Sequence, residues 1–222
     1  MIVSIVHKVY DNLSELIDFF PEDLLNDILD NLNDDLNWEP APANGRLEVR
    51  AHKKITNKIE TFLRQRNLID EEDYVSACHF YKDNQNSTNL LLGWNPKFKE
   101  YCLHPCFYIP LHIDPIHVYK SIQIYLNDTD SPGTAWFNTD MYHKFYNELD
   151  HAVLDPCSDA DSFNVYVGPK FIDVIKGKYI KYGKNRGYMM TNSLTEPLPH
   201  AVPRSYTSDN RISLRVLIKV VL

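Results

Sequence analysis

"PLHIDPIHVYKSIQIYLND" (Pro110–Asp128) is the stretch on which the reading of this chain turns. In its second half Ser121, Gln123, Tyr125 and Asn127 alternate with Ile122, Ile124 and Leu126. Period-two alternation marks a strand with one polar and one packed side. The polar stripe, with its tyrosine, reads as a pocket wall. The apolar stripe then packs outward, on helices or on a second sheet. In the first half, His112 and Asp114 lie two apart, so an extended chain puts them on one face where both can bind one ion. The triplet by itself carries no weight. With 9 histidines and 30 acidic residues in 222, about one His-x-acid is expected at random, and one occurs. Its surroundings decide.

Upstream, the pattern is helical. Ile2 to Val6 reads as a short strand and "SELIDFF" as a helical turn. Pro21 then opens a helix in which Leu24, Leu25, Ile28, Leu29 and Leu32 recur at helical spacing. A further helix is predicted over Ala51 to Arg66, with Ile55, Ile59, Phe62 and Leu63 as its buried stripe. From about Asp73 the period shortens. "YVSACHFY", "CFYIPLHID", "KSIQIYLND", "GTAWFN", "RGYMMTN" and "RISLRVLIKVVL" read as strands, with "KDNQNSTN" a loop and "DTDSPG" a turn. Residues 140–182 form a long insertion, with a helix expected near Tyr142–Ala152. Helices followed by many short antiparallel strands point to an α+β, mainly β fold with a sandwich or barrel body. Residues 1–70 are expected to be a helical support region and 71–222 the core, as one structural unit.

Composition excludes several classes. Seven glycines, and no GxGxxG or GxxxxGK[ST], leave a nucleotide-binding fold without support. The net charge of −7 shows no nucleic-acid footprint. The basic residues between Arg46 and Arg66 read as a solvated face balancing the acidic segment before them. Four cysteines do not make a disulfide framework in a chain of this length, and Cys102, His104 and Cys106 have poor spacing for zinc. Neither a leader pattern nor a run of membrane-spanning length is present, so a soluble, cytoplasmic protein is expected, with no membrane or nucleic-acid partner. The sequence leaves its oligomeric state open.

A partner for His112 and Asp114 is found at His200, in "EPLPHAVPRSYTSDNRISLRV". Two histidines and a carboxylate on one face of a metal leave positions open, the arrangement suited to non-haem Fe(II) with a co-substrate and O₂. A 2-oxo acid as electron source needs a fixed cation for its distal carboxylate, and arginine supplies one. Arg211 opens the last strand, and Ser213 shares its face. Arg215 shares that parity and is a rival. Taken singly, His112 reads as a core histidine and Tyr125 as a core tyrosine. His79, His104 and His117 read as strand or loop residues, Trp94 as a packing aromatic, and Trp136 and Phe137 either as ordinary strand aromatics or as a substrate shelf.

The order HxD, "IYLN", "GTAWF", Gly-x-x-x-Thr-Asn, "HAV" and R-x-S resembles the Fe(II)/2-oxoglutarate-dependent dioxygenases, closest to the prolyl-hydroxylase-like and phage or bacterial branches. The resemblance runs from about Ser76 to Leu217. It implies a double-stranded β-helix, a cupin-like jelly roll. His112, Asp114 and His200 would be the catalytic iron ligands. Arg211 would pair with the 2-oxoglutarate C5 carboxylate, with Ser213 and Tyr125 assisting. Tyr81 and Tyr108 would be pocket aromatics, Gly133 and Thr134 would open a strand, and Asn192 would lie near the pocket. The implied cofactors are Fe(II), 2-oxoglutarate and O₂, with ascorbate compatible. The implied reaction is hydroxylation of an unactivated C–H on a peptidyl residue such as proline or on a small metabolite, yielding succinate and CO₂. Relatives that halogenate lack the carboxylate ligand, so Asp114 points to hydroxylation or a related desaturation. The chain departs from the pattern in the long stretch Lys82–Glu100, in the 140–182 insertion and in the spacing from His200 to Arg211. The first two leave the substrate open, and the third keeps Arg215 in play. The alternatives are a non-catalytic metal-binding jelly roll and a zinc hydrolase on the same three ligands.

Overall fold

The computed structural model describes residues 5–33, 36–40, 46–83, 92–95, 100–103, 107–112, 120–130, 133–138, 140, 152–156, 162–167, 170–191, 198–203 and 210–220. In chain order the elements begin with β1 (Ile5–Tyr10), β2 (Leu13–Ile17), α1 (Glu22–Asn33), β3 (Glu39–Pro40), β4 (Leu47–Arg50) and α2 (Lys53–Gln65). There follow β5 (Asp73–Asp83), β6 (Leu92–Asn95), β7 (Glu100–Leu103), β8 (Phe107–His112), β9 (Lys120–Tyr125) and β10 (Thr134–Trp136). The chain continues through β11 (Ala152–Pro156), β12 (Ser162–Val167), β13 (Lys170–Lys176) and β14 (Lys178–Ile180). Its last strands are β15 (Arg186–Thr191), β16 (His200–Pro203) and β17 (Arg211–Val220). Of the loop expected at "KDNQNSTN" only Lys82 and Asp83 are described, and they end β5; of the helix expected near Tyr142–Ala152 only Ala152 is described, and it opens β11.

The result is an α+β fold dominated by antiparallel sheets. An eight-stranded sheet has the order β1-β2-β15-β9-β17-β5-β4-β3, and a four-stranded sheet the order β14-β10-β16-β8. Strands β11 to β13 form a separate three-stranded sheet, and β6 pairs with β7. This is consistent with a double-stranded β-helix core, although the two larger sheets are not closed into one barrel among the described residues. No helix among the described residues is long and apolar enough to cross a membrane.

The large sheet has two chemically distinct faces, because side chains alternate along each strand. Ile122, Ile124, Leu126, Leu214, Val216, Ile218, Cys78 and Phe80 point to one side. There they pack with Leu24, Leu25, Ile28, Ile55, Ile59, Phe62 and Leu63 of the helices. Acidic Glu22 and Asp23 open α1, where they favour the helix dipole. Asn31 near the end of α1 accepts a hydrogen bond from the His52 backbone at the head of α2, at 3.1 Å. Burial pushes the Cys78 thiol up to about 12.

Three features differ from the sequence reading. "SELIDFF" begins as strand, not helix. In β2, Leu16 packs in the helix-side core while Leu13 packs in the core between the sheets. A strand buried on both faces mimics helical i, i+3 spacing, which misdirects the periodicity argument. Asp18, at φ 48°, then turns the chain. Second, residues 1–70 supply four strands of the large sheet as well as two helices. Third, Arg46 is not part of a solvated basic face. It is buried and donates to Asp83 from Nε (2.7 Å) and Nη2 (3.0 Å). Lys58 does pair with Asp27, and Arg64 with Glu60 at 2.8 Å, as an exposed basic face would.

Gly187 marks the tightest approach in the large sheet. A Cβ there would lie 1.8 Å from the Gln123 carbonyl oxygen, which is backbone and cannot rotate away. Gly187→Ala is therefore expected to cost about 2–3 kcal/mol of stability, as overpacking does. A urea titration followed by circular dichroism would show a lowered midpoint, and an unchanged midpoint would contradict this geometry.

Candidate active site

The site lies on the other face of the large sheet. Cross-strand registers assemble it in rows. Tyr125 of β9 is opposite Ser213 of β17, which is opposite Tyr81 of β5. Arg211 begins the neighbouring row, opposite Asp83. The polar stripe read from the sequence is thus brought beside the R-x-S pair of the last strand. Ser121, Gln123 and Tyr125 are all buried. Asn127 lies just past β9 and ties the head of β17 in place: its Oδ1 accepts from the Ile212 backbone at 2.9 Å, and its Nδ2 donates to the Asn210 carbonyl at 2.8 Å.

Arg211 is 4% exposed, yet its Nε and Nη1 have no hydrogen-bond partner. Its guanidinium stands 4.9 Å from the Tyr182 ring centre and 5.8 Å from that of Tyr125. The two rings stack at 4.3 Å. Cation–π contact offsets part of the burial cost but uses none of the N–H donors. A buried guanidinium with idle donors has the capacity to take an anion. Burial pushes the Tyr125 and Tyr182 hydroxyls up, with Arg211 acting against it, so both stay protonated near neutrality. Tyr125 shares a 2.7 Å hydrogen bond with Thr134, where either hydroxyl can donate.

A directed chain of hydrogen bonds reaches the same place. Tyr188 donates to Gln123 Oε1 at 2.9 Å, and Gln123 Nε2 donates to Ser213 Oγ at 3.2 Å. Ser213 Oγ thus accepts a hydrogen bond from behind, which leaves its own hydroxyl hydrogen to donate to a ligand. Arg215 lies two residues further along the strand and is half-buried. Of the two, Arg211 is the more deeply buried and lies against the aromatic pair.

On the four-stranded sheet, His200 is the Cα partner of His112 on one side and of Trp136 on the other. His200 is buried, and the Trp136 indole stacks on its ring at 4.4 Å and 23°. Its Nδ1 lies 3.1 Å from the Leu198 carbonyl oxygen. That contact favours a proton on Nδ1, which puts the ring's lone pair on Nε2, the tautomer that ligating histidines adopt. Of His112, the backbone position and register are described. Asp114, His117 and Asn192 lie outside the described residues, as do His104 and Cys106. Among the described residues no cluster of three or more His, Cys, Asp or Glu side chains could hold a metal ion.

Two features of the described residues bear on the implied cofactors. The His112–His200 pairing puts two imidazole-bearing positions side by side, and Arg211 with Ser213 offers unspent donors for a carboxylate. Sequence reasoning missed Tyr182 and Gln123's relay. Tyr182 falls at the end of the presumed insertion, and its hydroxyl bonds to Asn127 (2.6 Å) and to the Ile212 carbonyl (2.9 Å) carry no sequence signature. Trp136, read either as a strand aromatic or as a substrate shelf, stacks on a candidate ligand.

No family model and no curated protein sequence matches the chain. Solved structures similar to it include a Pseudomonas putida prolyl-4-hydroxylase (TM-score 0.46, 11% identity, 94% of this chain and 92% of that one). A 2OG-Fe(II) oxygenase family oxidoreductase from Burkholderia pseudomallei gives TM-score 0.47 and 13% identity over 94% and 85%. The viral collagen prolyl hydroxylase of Paramecium bursaria Chlorella virus-1 gives 0.43 and 12% over 95% and 91%. What the site can do follows from its residues.

Proposed function

We propose that the chain is an Fe(II)- and 2-oxoglutarate-dependent dioxygenase that hydroxylates an unactivated C–H of a peptidyl or small-molecule substrate. The observation that carries this reading is the buried Arg211 guanidinium with unpaired Nε and Nη1, held between Tyr125, Tyr182 and the Ser213 row. In this reading the two larger sheets are the faces of a double-stranded β-helix, residues 1–70 brace the large sheet, and residues 140–182 border the substrate.

His112, Asp114 and His200 would hold Fe(II), which with 2-oxoglutarate and O₂ supplies the oxidising power for C–H hydroxylation, leaving succinate and CO₂. Arg211 would bind the distal carboxylate and Ser213 would donate to it. Tyr125 and Tyr182 would wall the acid in and exclude water, so that the ion pair is strengthened by a low local dielectric. Trp136 would fix the plane of the His200 imidazole.

Anaerobic addition of Fe(II) and 2-oxoglutarate to the wild-type protein is expected to raise the weak visible charge-transfer band of a chelated keto acid. His112→Ala and His200→Ala are expected to abolish it, with circular dichroism unchanged. Iron binding by the wild type without any band, at saturating 2-oxoglutarate, would overturn the assignment.

A further inference from the structure

Trp136 carries an idle donor that packing alone does not explain. The residue is fully buried, and its Nε1 has no hydrogen-bond partner among the described residues. A buried indole N–H usually finds a partner, so an unpaired one needs a reason. The ring is held on two sides. It stacks on His200 at 4.4 Å and meets Tyr188 at 4.8 Å and 76°. An N–H over the Tyr188 ring face is the rival use of this group, and such contacts are weaker than a bond to oxygen.

The strand places Trp136 between the two ends of the candidate site. Thr134 and Trp136 lie two apart on β10 and share a face. Thr134 is hydrogen-bonded to Tyr125 at 2.7 Å, and Tyr125 with Tyr182 forms the aromatic pair against Arg211. Trp136 is the Cα partner of His200, which is in turn the Cα partner of His112. One face of β10 thus runs from the Arg211 end, at Thr134, to the histidine end, at Trp136. That step is about 6.6 Å at ~3.3 Å per residue, which an extended five-carbon diacid can span. Trp136, Tyr125 and Tyr182 also belong to one buried cluster, so the indole sits among the rings that surround the anchor.

We propose that the Trp136 indole N–H donates a hydrogen bond to the keto-acid end of 2-oxoglutarate, while Arg211 and Ser213 hold the distal carboxylate. The inference rests on the dioxygenase reading for the identity of the acid. Trp136 then has two tasks. Its ring face orients the His200 imidazole, and its N–H orients the acid beside that imidazole. An indole is a donor only, so nothing but an acceptor such as a carboxylate or keto oxygen satisfies it. It is also neutral. A guanidinium or ammonium at this place would repel a bound metal ion, whereas an indole gives direction without adding charge.

The test is a proton–nitrogen NMR spectrum of the indole N–H groups of the full chain, with diamagnetic Zn(II) in place of Fe(II). The chain has three tryptophans, so the Trp136 signal is assigned by elimination through Trp38→Phe and Trp94→Phe. Titration with 2-oxoglutarate is expected to move that signal downfield and to saturate. Acetate, which can fill the Arg211 end alone, is expected to leave it in place. Trp136→Phe keeps a ring on His200 and lacks the N–H, so calorimetry should show about tenfold weaker 2-oxoglutarate binding, the loss of one hydrogen bond. A purely packing role predicts a lower melting temperature with unchanged affinity. The wild-type spectrum decides even if that variant does not fold. A Trp136 signal unmoved at every 2-oxoglutarate concentration overturns the inference, as does a folded Trp136→Phe that binds as tightly as wild type. An equal shift with acetate also overturns it, by making the shift a remote effect of the anchor. The dioxygenase reading fails separately. A charge-transfer band with Fe(II) but an unmoved Trp136 signal keeps the enzyme and refutes the donor. No band, with a saturable Trp136 shift, refutes the enzyme and keeps the donor.

Discussion

Arg211→Met is expected to lose at least about 100-fold in 2-oxoglutarate affinity while making the ligand-free protein no less stable, and up to about 1 kcal/mol more stable. The two halves have one cause. In the ligand-free chain the guanidinium is buried with Nε and Nη1 unpaired, a cost the fold carries without return. Methionine keeps an apolar stem against Tyr125 and Tyr182, and replacing buried ions by apolar groups of like volume is often neutral or stabilising. Hydrogen bonds to a charged partner contribute about 1.5–3 kcal/mol each, so losing two accounts for the affinity. Thermal melts with Fe(II) replaced by redox-silent Mn(II) read both effects. The wild type should gain roughly 5–10 °C at 2-oxoglutarate one hundred times its Kd, since that excess adds about 2.7 kcal/mol. Arg211→Met should gain nothing at that concentration. A variant that melts well below wild type without ligand would mean that Arg211 is a structural cation and not an anchor held in reserve.

How far all this could be read from letters depends on what each residue answers to. Ile122, Ile124 and Leu126 answer to one apolar face, so their strand and its polarity were legible, while the choice between helices and a second sheet as its cover was not. Leu13 and Leu16 answer to two cores on opposite sides, and their strand was not. The α2 stripe of Ile55, Ile59, Phe62 and Leu63 came through because one amphipathic helix meets one sheet. At the site, strand parity was enough to put Arg211, Ser213 and Arg215 on one face, but parity cannot rank them. The ranking needed partners distant in sequence: Tyr182 over one guanidinium, His79 opposite the other. Arg46 was grouped with its basic neighbours, because nothing local announces that Asp83, 37 residues on, takes it into the core. The same partnership bears on the co-substrate.

Arg46→Met is expected to weaken 2-oxoglutarate binding about tenfold or more, through the carboxylate that Arg46 occupies. Asp83 is the direct cross-strand neighbour of Arg211, and its carboxylate is 2% exposed. With Arg46 gone, that carboxylate is left buried without its two donors. Leaving half of such a pair costs about 3–5 kcal/mol, so the carboxylate turns to the nearest idle cation. That cation is Arg211, within about 5.5 Å at Cβ of an opposite residue. Arg46 therefore keeps the anchor free by occupying its competitor, a positioning task. Asp83→Leu should behave in the opposite sense. It removes the ion pair of Arg46, which keeps its contact with the Tyr81 ring, and costs up to ~3–5 kcal/mol of stability, but it leaves 2-oxoglutarate affinity intact or tighter. The double variant Arg46→Met/Asp83→Leu removes both charges and is expected to return within about 1 kcal/mol of wild-type stability, with affinity restored within a few-fold. Denaturant titration and calorimetric 2-oxoglutarate binding on all four proteins close the cycle. If Arg46→Met binds the co-substrate as tightly as wild type, Asp83 is no competitor, and the buried pair is structural alone. If affinity falls in Arg46→Met and recovers when Asp83 is also removed, the carboxylate is the cause, since no other change separates the two variants.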